Sequence, residues 1–167
     1  MGTGTLISVE EYLTTSYSDG DREYVDGKVL ERNLGEVEHS DVQGRIYAFL
    51  LSKYRQFWPG VEVRMQVTAA RFRVPDVVVV EGGRPASHVI TQPPLLVVEV
   101  LSPDDKVTDL QDKIDDYLAF GIRCIWVVDP RTLRGMIHTP EAILEVKDSV
   151  FRVPETDIVC PLKDLMA

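Results

Sequence analysis

The sequence is poor in cysteine, with only Cys124 and Cys160 among 167 residues. Two thiols at that separation make neither a disulfide framework nor a zinc-binding pattern. Cys124 sits in an apolar run and reads as a buried free thiol. Long hydrophobic runs are also missing. The stretches 77–80 and 95–98 are strand-sized, against the roughly 20 residues that a membrane-spanning helix needs. The opening Met1-Gly2-Thr3-Gly4 carries no basic or apolar segment of the secretory kind, so a cytoplasmic protein without a membrane partner is expected. There is no low-complexity segment, internal repeat or Ser/Gly-rich linker, and one domain over residues 1–167 is expected.

An excess of positive charge is absent too, since the formal net charge is -9. Non-specific nucleic-acid binding is driven by phosphate neutralisation, which such a chain does poorly. That disfavours a sequence-specific DNA-binding regulator. The acids are uneven: Asp104, Asp105, Asp109, Asp112, Asp115 and Asp116 crowd one segment. Arg64, Arg71 and Arg73 can form a local basic rim, or simply be solvated strand-edge charges.

What is present is an α/β pattern. Ser8 followed by Glu11 is a capping box that opens a short helix over residues 9–14. Glu23-Tyr24-Val25, Asp26-Gly27 and Lys28-Val29-Leu30 form a hairpin signal, because Asp-Gly supplies the positive φ angles of a tight turn. From Ser40 to Phe57, Val42, Ile46, Phe49, Leu50 and Phe57 recur at helical steps, and Pro59-Gly60 ends the pattern. Residues 61–68 alternate like a half-buried strand. Residues 72–81 and 95–101 read as buried strands. Ser102-Pro103-Asp104 then predicts a helix start, with Val107, Leu110, Ile114, Tyr117 and Leu118 as the apolar stripe and Gly121 as the stop. Residues 122–128 predict a further buried strand. Residues 133–138, 143–146 and 150–153 predict a tail of short antiparallel strands. The fold class is α/β, a mixed sheet with an α-β-β-β-α-β core, an N-terminal helix and hairpin, and a C-terminal β extension.

Two carboxylates stand in the wrong surroundings. Asp76 follows Pro75 and precedes four valines, and Glu99 sits within Leu95-Leu96-Val97-Val98-Glu99-Val100-Leu101. A carboxylate in a buried strand is costly unless it is paired, hydrogen-bonded or metal-bound. Two on neighbouring strands repel, and Mg²⁺ or Mn²⁺ would resolve that conflict with hard oxygen ligands. The alternative is that each acid meets an arginine, such as Arg73 or Arg123.

Val74-Pro75-Asp76 followed by Val98-Glu99-Val100-Leu101-Ser102-Pro103 resembles the PD-(D/E)XK nuclease superfamily. More narrowly, the chain resembles its putative restriction-endonuclease branch, a former domain of unknown function abundant in cyanobacteria. Further matches are Glu23-Tyr24-Val25-Asp26-Gly27-Lys28, His39, Lys113 with Tyr117, and Gly121 followed by Ile125-Trp126-Val127-Val128-Asp129-Pro130. The resemblance implies a restriction-endonuclease-like fold and a metal-dependent endonuclease that hydrolyses nucleic acid, DNA in the first instance. It implies that Asp76, Glu99 and the main-chain carbonyl of Val100 ligate the catalytic Mg²⁺ or Mn²⁺. The position two after Glu99, where the superfamily's lysine usually stands, is Leu101. In the narrower family the lysine is displaced to the following helix, which leaves Lys113 or Lys106.

Height separates those two. Glu99 lies some 7–10 Å below the strand end at strand rise. Lys113 lies about 10 Å further down a returning helix than Lys106. Lys113 is therefore expected level with Glu99, and Asp109, Asp112, Asp115 and Asp116 on the opposite, solvent-facing arc. An exposed Lys113 paired with Asp109 or Asp116 is the alternative. Glu38 and His39 can line the site, or His39-Ser40-Asp41 can be a helix start capped by Ser40. Tyr24, Trp58 and Trp126 are expected in packing, and His88 and His138 have no evident partner. A homodimer is expected, because a twofold assembly places two sites across a duplex. The competing function is a non-catalytic interaction or scaffold protein that retains the nuclease fold.

Overall fold

The computed structural model describes residues 5–18, 20–33 and 35–167. The stretch 1–4, expected to carry no secretory signal, lies outside the described residues. Helix α1 (Val9–Thr14) begins at Ser8, whose Oγ accepts the Glu11 N–H at 3.1 Å. Strands β1 (Glu23–Val25) and β2 (Lys28–Leu30) form the expected hairpin, with Asp26 and Gly27 at φ 51° and 92°.

Helix α2 (Val37–Lys53) starts earlier than its apolar periodicity indicates. Ser40 lies inside the first turn, donating its N–H to the Glu36 carbonyl, and does not cap the helix. Phe57 is not helical. It opens β3 (Phe57–Val61), which contains Pro59 and Gly60 and, among the described residues, pairs only with β6 (Val77–Glu81) at the sheet edge. An edge strand is where a sheet tolerates a residue without an N–H.

The strands expected at 61–68 and 72–81 are each divided between two sheets. Glu62, at φ 51°, turns the chain from β3 toward β4 (Met65–Thr68). Pro75 and Asp76 separate β5 (Arg71–Arg73) from β6. Strand β7 (Leu96–Val100) is followed by α3 (Val107–Phe120), which starts at Lys106 rather than Ser102. Residues 102–105 form a turn instead, closed by the Asp105 N–H to the Ser102 carbonyl and by the Ser102 N–H to Asp105 Oδ2. Gly121, at φ 108°, ends α3 as expected. Then come β8 (Ile125–Asp129), β9 (Arg134–His138), β10 (Ile143–Val146), β11 (Val150–Arg152), β12 (Val159–Pro161) and the short α4 (Leu162–Leu165).

The main sheet has the order β10-β9-β8-β7-β6-β3, and only β7 and β8 run parallel, joined through α3. The α-β-β-β-α-β core is therefore α2-β3-β6-β7-α3-β8. Strands β4 and β5 leave it to join the hairpin in a second sheet, β2-β1-β5-β4. Side chains alternate across the main sheet. Val77, Val79, Leu96, Val98, Trp126 and Val128 pack with Val42, Ile46 and Leu50 of α2. Val78, Val97, Ile125 and Val127 pack on the other face with Ile114 and Tyr117 of α3 and Met65 of β4. Tyr24 and Trp126 are buried, and Trp58 packs half-buried against the α3-side core. Cys124 and Cys160 are buried free thiols. Among the described residues, no helix is long and apolar enough to cross a membrane.

Candidate active site

The site starts from register. Strands β6 and β7 are antiparallel, with Val78 opposite Val97 and Val77 opposite Val98. One step further sets Asp76 opposite Glu99. Alternation puts both side chains on the face of Val78 and Val97, beneath α3. Both are buried, with 3% and 5% exposure. They lie at the floor of a cleft of about 670 Å³, walled by the hairpin, the start of α2 and the first half of α3.

Asp76 is held on both oxygens. Oδ1 accepts Arg32 Nη2 at 3.0 Å, and Oδ2 accepts the Val100 N–H at 2.7 Å and faces His39 Nε2 at 3.3 Å. Burial alone would raise this carboxyl. The His39 hydrogen bond, the His39 and Arg32 charges and the Val100 amide outweigh burial and hold it below the ordinary value. His39 is raised in return, chiefly by its bond to Asp76.

Glu99 has the opposite balance. Burial, helped by the charges of Asp76 and Glu23, pushes it up to about 7, against the pull of Lys113 and Tyr117. Tyr117 donates its hydroxyl to Glu99 Oε1, and Lys113 Nζ stands 3.4 Å from Oε2. Lys113 also reaches Glu23 Oε1 at 3.3 Å. Burial disfavours its charge, but Glu99, Glu23 and Asp76 keep its pKa above the ordinary lysine value.

Glu23 ties this arrangement to the second sheet. Its Oε1 accepts the Val74 N–H and its Oε2 accepts Arg73 Nη1, both at 3.1 Å. Arg73 also donates to Asp112 and Asp116 at 2.7 Å each. Arg71 reaches Asp116 at 2.9 Å.

The structure thus brings together Asp76, Glu99, Val100, Lys113 and His39. Lys106 lines the same cleft from the start of α3, but among the described residues no ion pair joins it to either carboxylate. Glu38 is exposed on α2 and is not part of the cleft lining. Its neighbour His39 takes the inward-facing position, because α2 turns by about 100° per residue.

Other expectations are corrected. Asp76 meets Arg32, while Arg73 serves Glu23, Asp112 and Asp116, and Arg123 is exposed. Lys113 pairs with Glu99 and Glu23 rather than with Asp109 or Asp116. Asp109 and Asp112 line the cleft and Asp116 is not on a solvent-facing arc, because β5 lays Arg71 and Arg73 over Asp112 and Asp116. Arg32, Glu23 and Tyr117 escaped sequence reasoning as site members. Glu23 and Tyr117 carried a signal, since both stand inside the family-like motifs, whereas Arg32 carried none.

The donors suit a hard divalent cation: two carboxylates and, at the next residue of β7, a peptide carbonyl. Among the described residues, no three His, Cys, Asp or Glu side chains form a metal-binding group. A cation here would draw its third protein ligand from the main chain and the rest from water or substrate, the usual pattern for Mg²⁺.

A family model described as Uma2, putative restriction endonuclease, matches residues 9–161. No curated protein matches the chain. Among solved structures, a putative nuclease belonging to DUF820 from Anabaena variabilis ATCC 29413 shares 22% identity with a TM-score of 0.79. The match covers 95% of this chain and 97% of that one, and shows a common fold.

Proposed function

The chain belongs to the Uma2 family of putative restriction endonucleases, and from that premise we propose that it is a metal-dependent endonuclease hydrolysing phosphodiester bonds, with DNA as substrate. The observation that carries this reading is the buried pair Asp76 and Glu99, set across two strands with Lys113 beside Glu99. Asp76, Glu99 and the Val100 carbonyl would hold Mg²⁺ or Mn²⁺. The bound cation supplies Lewis-acid polarisation and a water of lowered pKa.

The chain's own groups do the rest. Tyr117 fixes one oxygen of Glu99 and leaves the other toward Lys113. Lys113, kept charged by Glu99 and Glu23, orients the attacking water or offsets charge that builds on the phosphate. His39 and the Val100 amide fix the Asp76 carboxyl. The reading includes a cytoplasmic location and a homodimer, and sedimentation of the purified protein tests the homodimer.

A second reading, a non-catalytic interaction or scaffold protein with the nuclease fold, is favoured by one observation. Arg32, His39 and Lys113 already balance both carboxylates. Incubation with duplex DNA, single-stranded DNA and RNA in Mg²⁺ or Mn²⁺ separates the two. The endonuclease reading expects internal cleavage of DNA that Asp76→Asn abolishes. Wild-type protein inert on all three substrates favours the scaffold.

A further inference from the structure

Asp76 Oδ2 accepts the Val100 amide at 2.7 Å and faces His39 Nε2 at 3.3 Å, so that oxygen is crowded on both sides. Oδ1 accepts Arg32 Nη2 at 3.0 Å and keeps its second lone pair. A cation that used Asp76 would therefore arrive at Oδ1, where it would meet a guanidinium at contact distance. A cation there would repel the guanidinium and weaken its bond to Oδ1, the more so because the site is buried.

Arg32 has a place to go. Its side chain follows β2 and is 19% exposed, and Nη1 lies 3.6 Å from Glu62 Oε2. Rotation about its side-chain bonds can take it off Oδ1 while it still lines the cleft. Of the other cations of the cleft, Lys106 stands at the N-cap of α3 and His39 faces Asp76 Oδ2 at 3.3 Å. Lys113 is held between Glu23 and Glu99 at 3.3 and 3.4 Å. Arg73 is shared among Glu23, Asp112 and Asp116.

The cleft wall also carries Asp21, Glu31, Glu62, Asp104 and Asp109. A phosphodiester entering there needs a cation that can turn to it. A guanidinium meets phosphate with the same planar fork it offers a carboxylate.

We propose that Arg32 is the phosphate-binding residue of this site, exchanging its bond to Asp76 Oδ1 for one to a phosphate oxygen when a cation is bound. The proposal rests on the nuclease reading above and names the group that recognises its substrate. Arg32 then opposes the metal and favours the phosphate. Its removal shifts the two affinities in opposite directions, whereas removal of a merely structural side chain weakens both.

The experiment compares wild-type protein, Arg32→Gln, Arg32→Lys and, as a charge control, Arg134→Gln. Arg134 is half-exposed on β9 and pairs with Glu145. Mn²⁺ affinity is read by calorimetry. Affinity for fluorescein-labelled DNA, single-stranded and duplex, is read by anisotropy in Ca²⁺ over a range of salt. Arg32→Gln is expected to bind Mn²⁺ about tenfold more tightly, the factor for one charge-assisted bond that no longer has to be broken. It is expected to bind DNA about tenfold more weakly, with a salt slope smaller by about 0.7–0.9, the change for one fewer phosphate neutralised. Arg32→Lys recovers part of the DNA affinity, and Arg134→Gln matches wild type in Mn²⁺ affinity.

Unchanged or weaker Mn²⁺ binding by both Arg32 variants overturns the exchange. Tighter Mn²⁺ binding with unchanged DNA affinity and salt slope overturns the phosphate role. Wild-type protein that binds no Mn²⁺ overturns instead the nuclease reading beneath both.

Discussion

Asp76 and Glu99 stand opposite each other at the end of the β6–β7 ladder, yet their carboxyls depart from ordinary acidity in opposite directions. Asp76 sits among donors and stays ionised. Glu99, buried beside two other acids, is pushed up to about 7. Burial is the larger cause of that rise, and the like charge of Asp76 across the strand pair adds to it.

That rise gives stability a pH signature. Glu99 has a folded pKa of about 7 against 4.5 for an ordinary glutamate. A raised folded pKa contributes stability that is fully present below the unfolded value and lost as pH rises through the folded one. Urea unfolding should therefore show wild type losing of order 3 kcal/mol relative to Glu99→Gln between about pH 4.5 and about pH 8. Raised His39 slopes the same way near neutrality, but it is present in both proteins and cancels. Parallel profiles would contradict the assignment.

Tyr117→Phe removes the hydroxyl that fixes Glu99 Oε1. The ring keeps its place in the α3-side core, so the fold should persist at a cost of about 1–3 kcal/mol. Supporting hydrogen bonds typically tune metal affinity by 10–100-fold, so Mn²⁺ affinity should fall by at least about tenfold. The titration of Glu99, followed by carboxyl ¹³C shifts, should move upward.

Lys113 on α3 and Lys106 at its N-cap line one cleft, but of the two, among the described residues, Lys113 alone forms an ion pair with Glu99. Lys113→Ala should lower the cleavage rate by about 10²–10³-fold, the scale for losing one charge-stabilising donor. Lys106→Ala should change it by less than about tenfold. Equal losses would place the catalytic cation elsewhere.

The sequence made the site's floor more legible than its walls. Asp76 and Glu99 were conspicuous because carboxylates interrupt valine-rich strands, and the height of Lys113 followed from helical and strand rise alone. The Asp26-Gly27 turn and the Gly121 stop were legible because each demands a backbone conformation that few residues accept. The breaks at Glu62 and at Pro75-Asp76 were hidden, since apolar alternation continues through them while the chain passes between sheets. Pro59 and Gly60 mimicked a helix end because nothing local marks an edge strand. Arg32 was invisible for a different reason. It lies 44 residues from Asp76, on a polar segment whose only message was exposure.

The central claim is that Asp76 and Glu99 form one cation site. The most direct measurement is calorimetric titration of Mn²⁺ into wild type, Asp76→Ala and Glu99→Ala at about pH 6 and about pH 8, in buffers of differing ionisation enthalpy. Metal ligands must be deprotonated. Wild-type affinity should therefore be weaker at the lower pH, with about one proton released per ion there and little at the higher pH. Both variants should lose binding. Mn²⁺ binding that either variant retains at full strength, or no binding by wild type even with DNA present, would contradict the account.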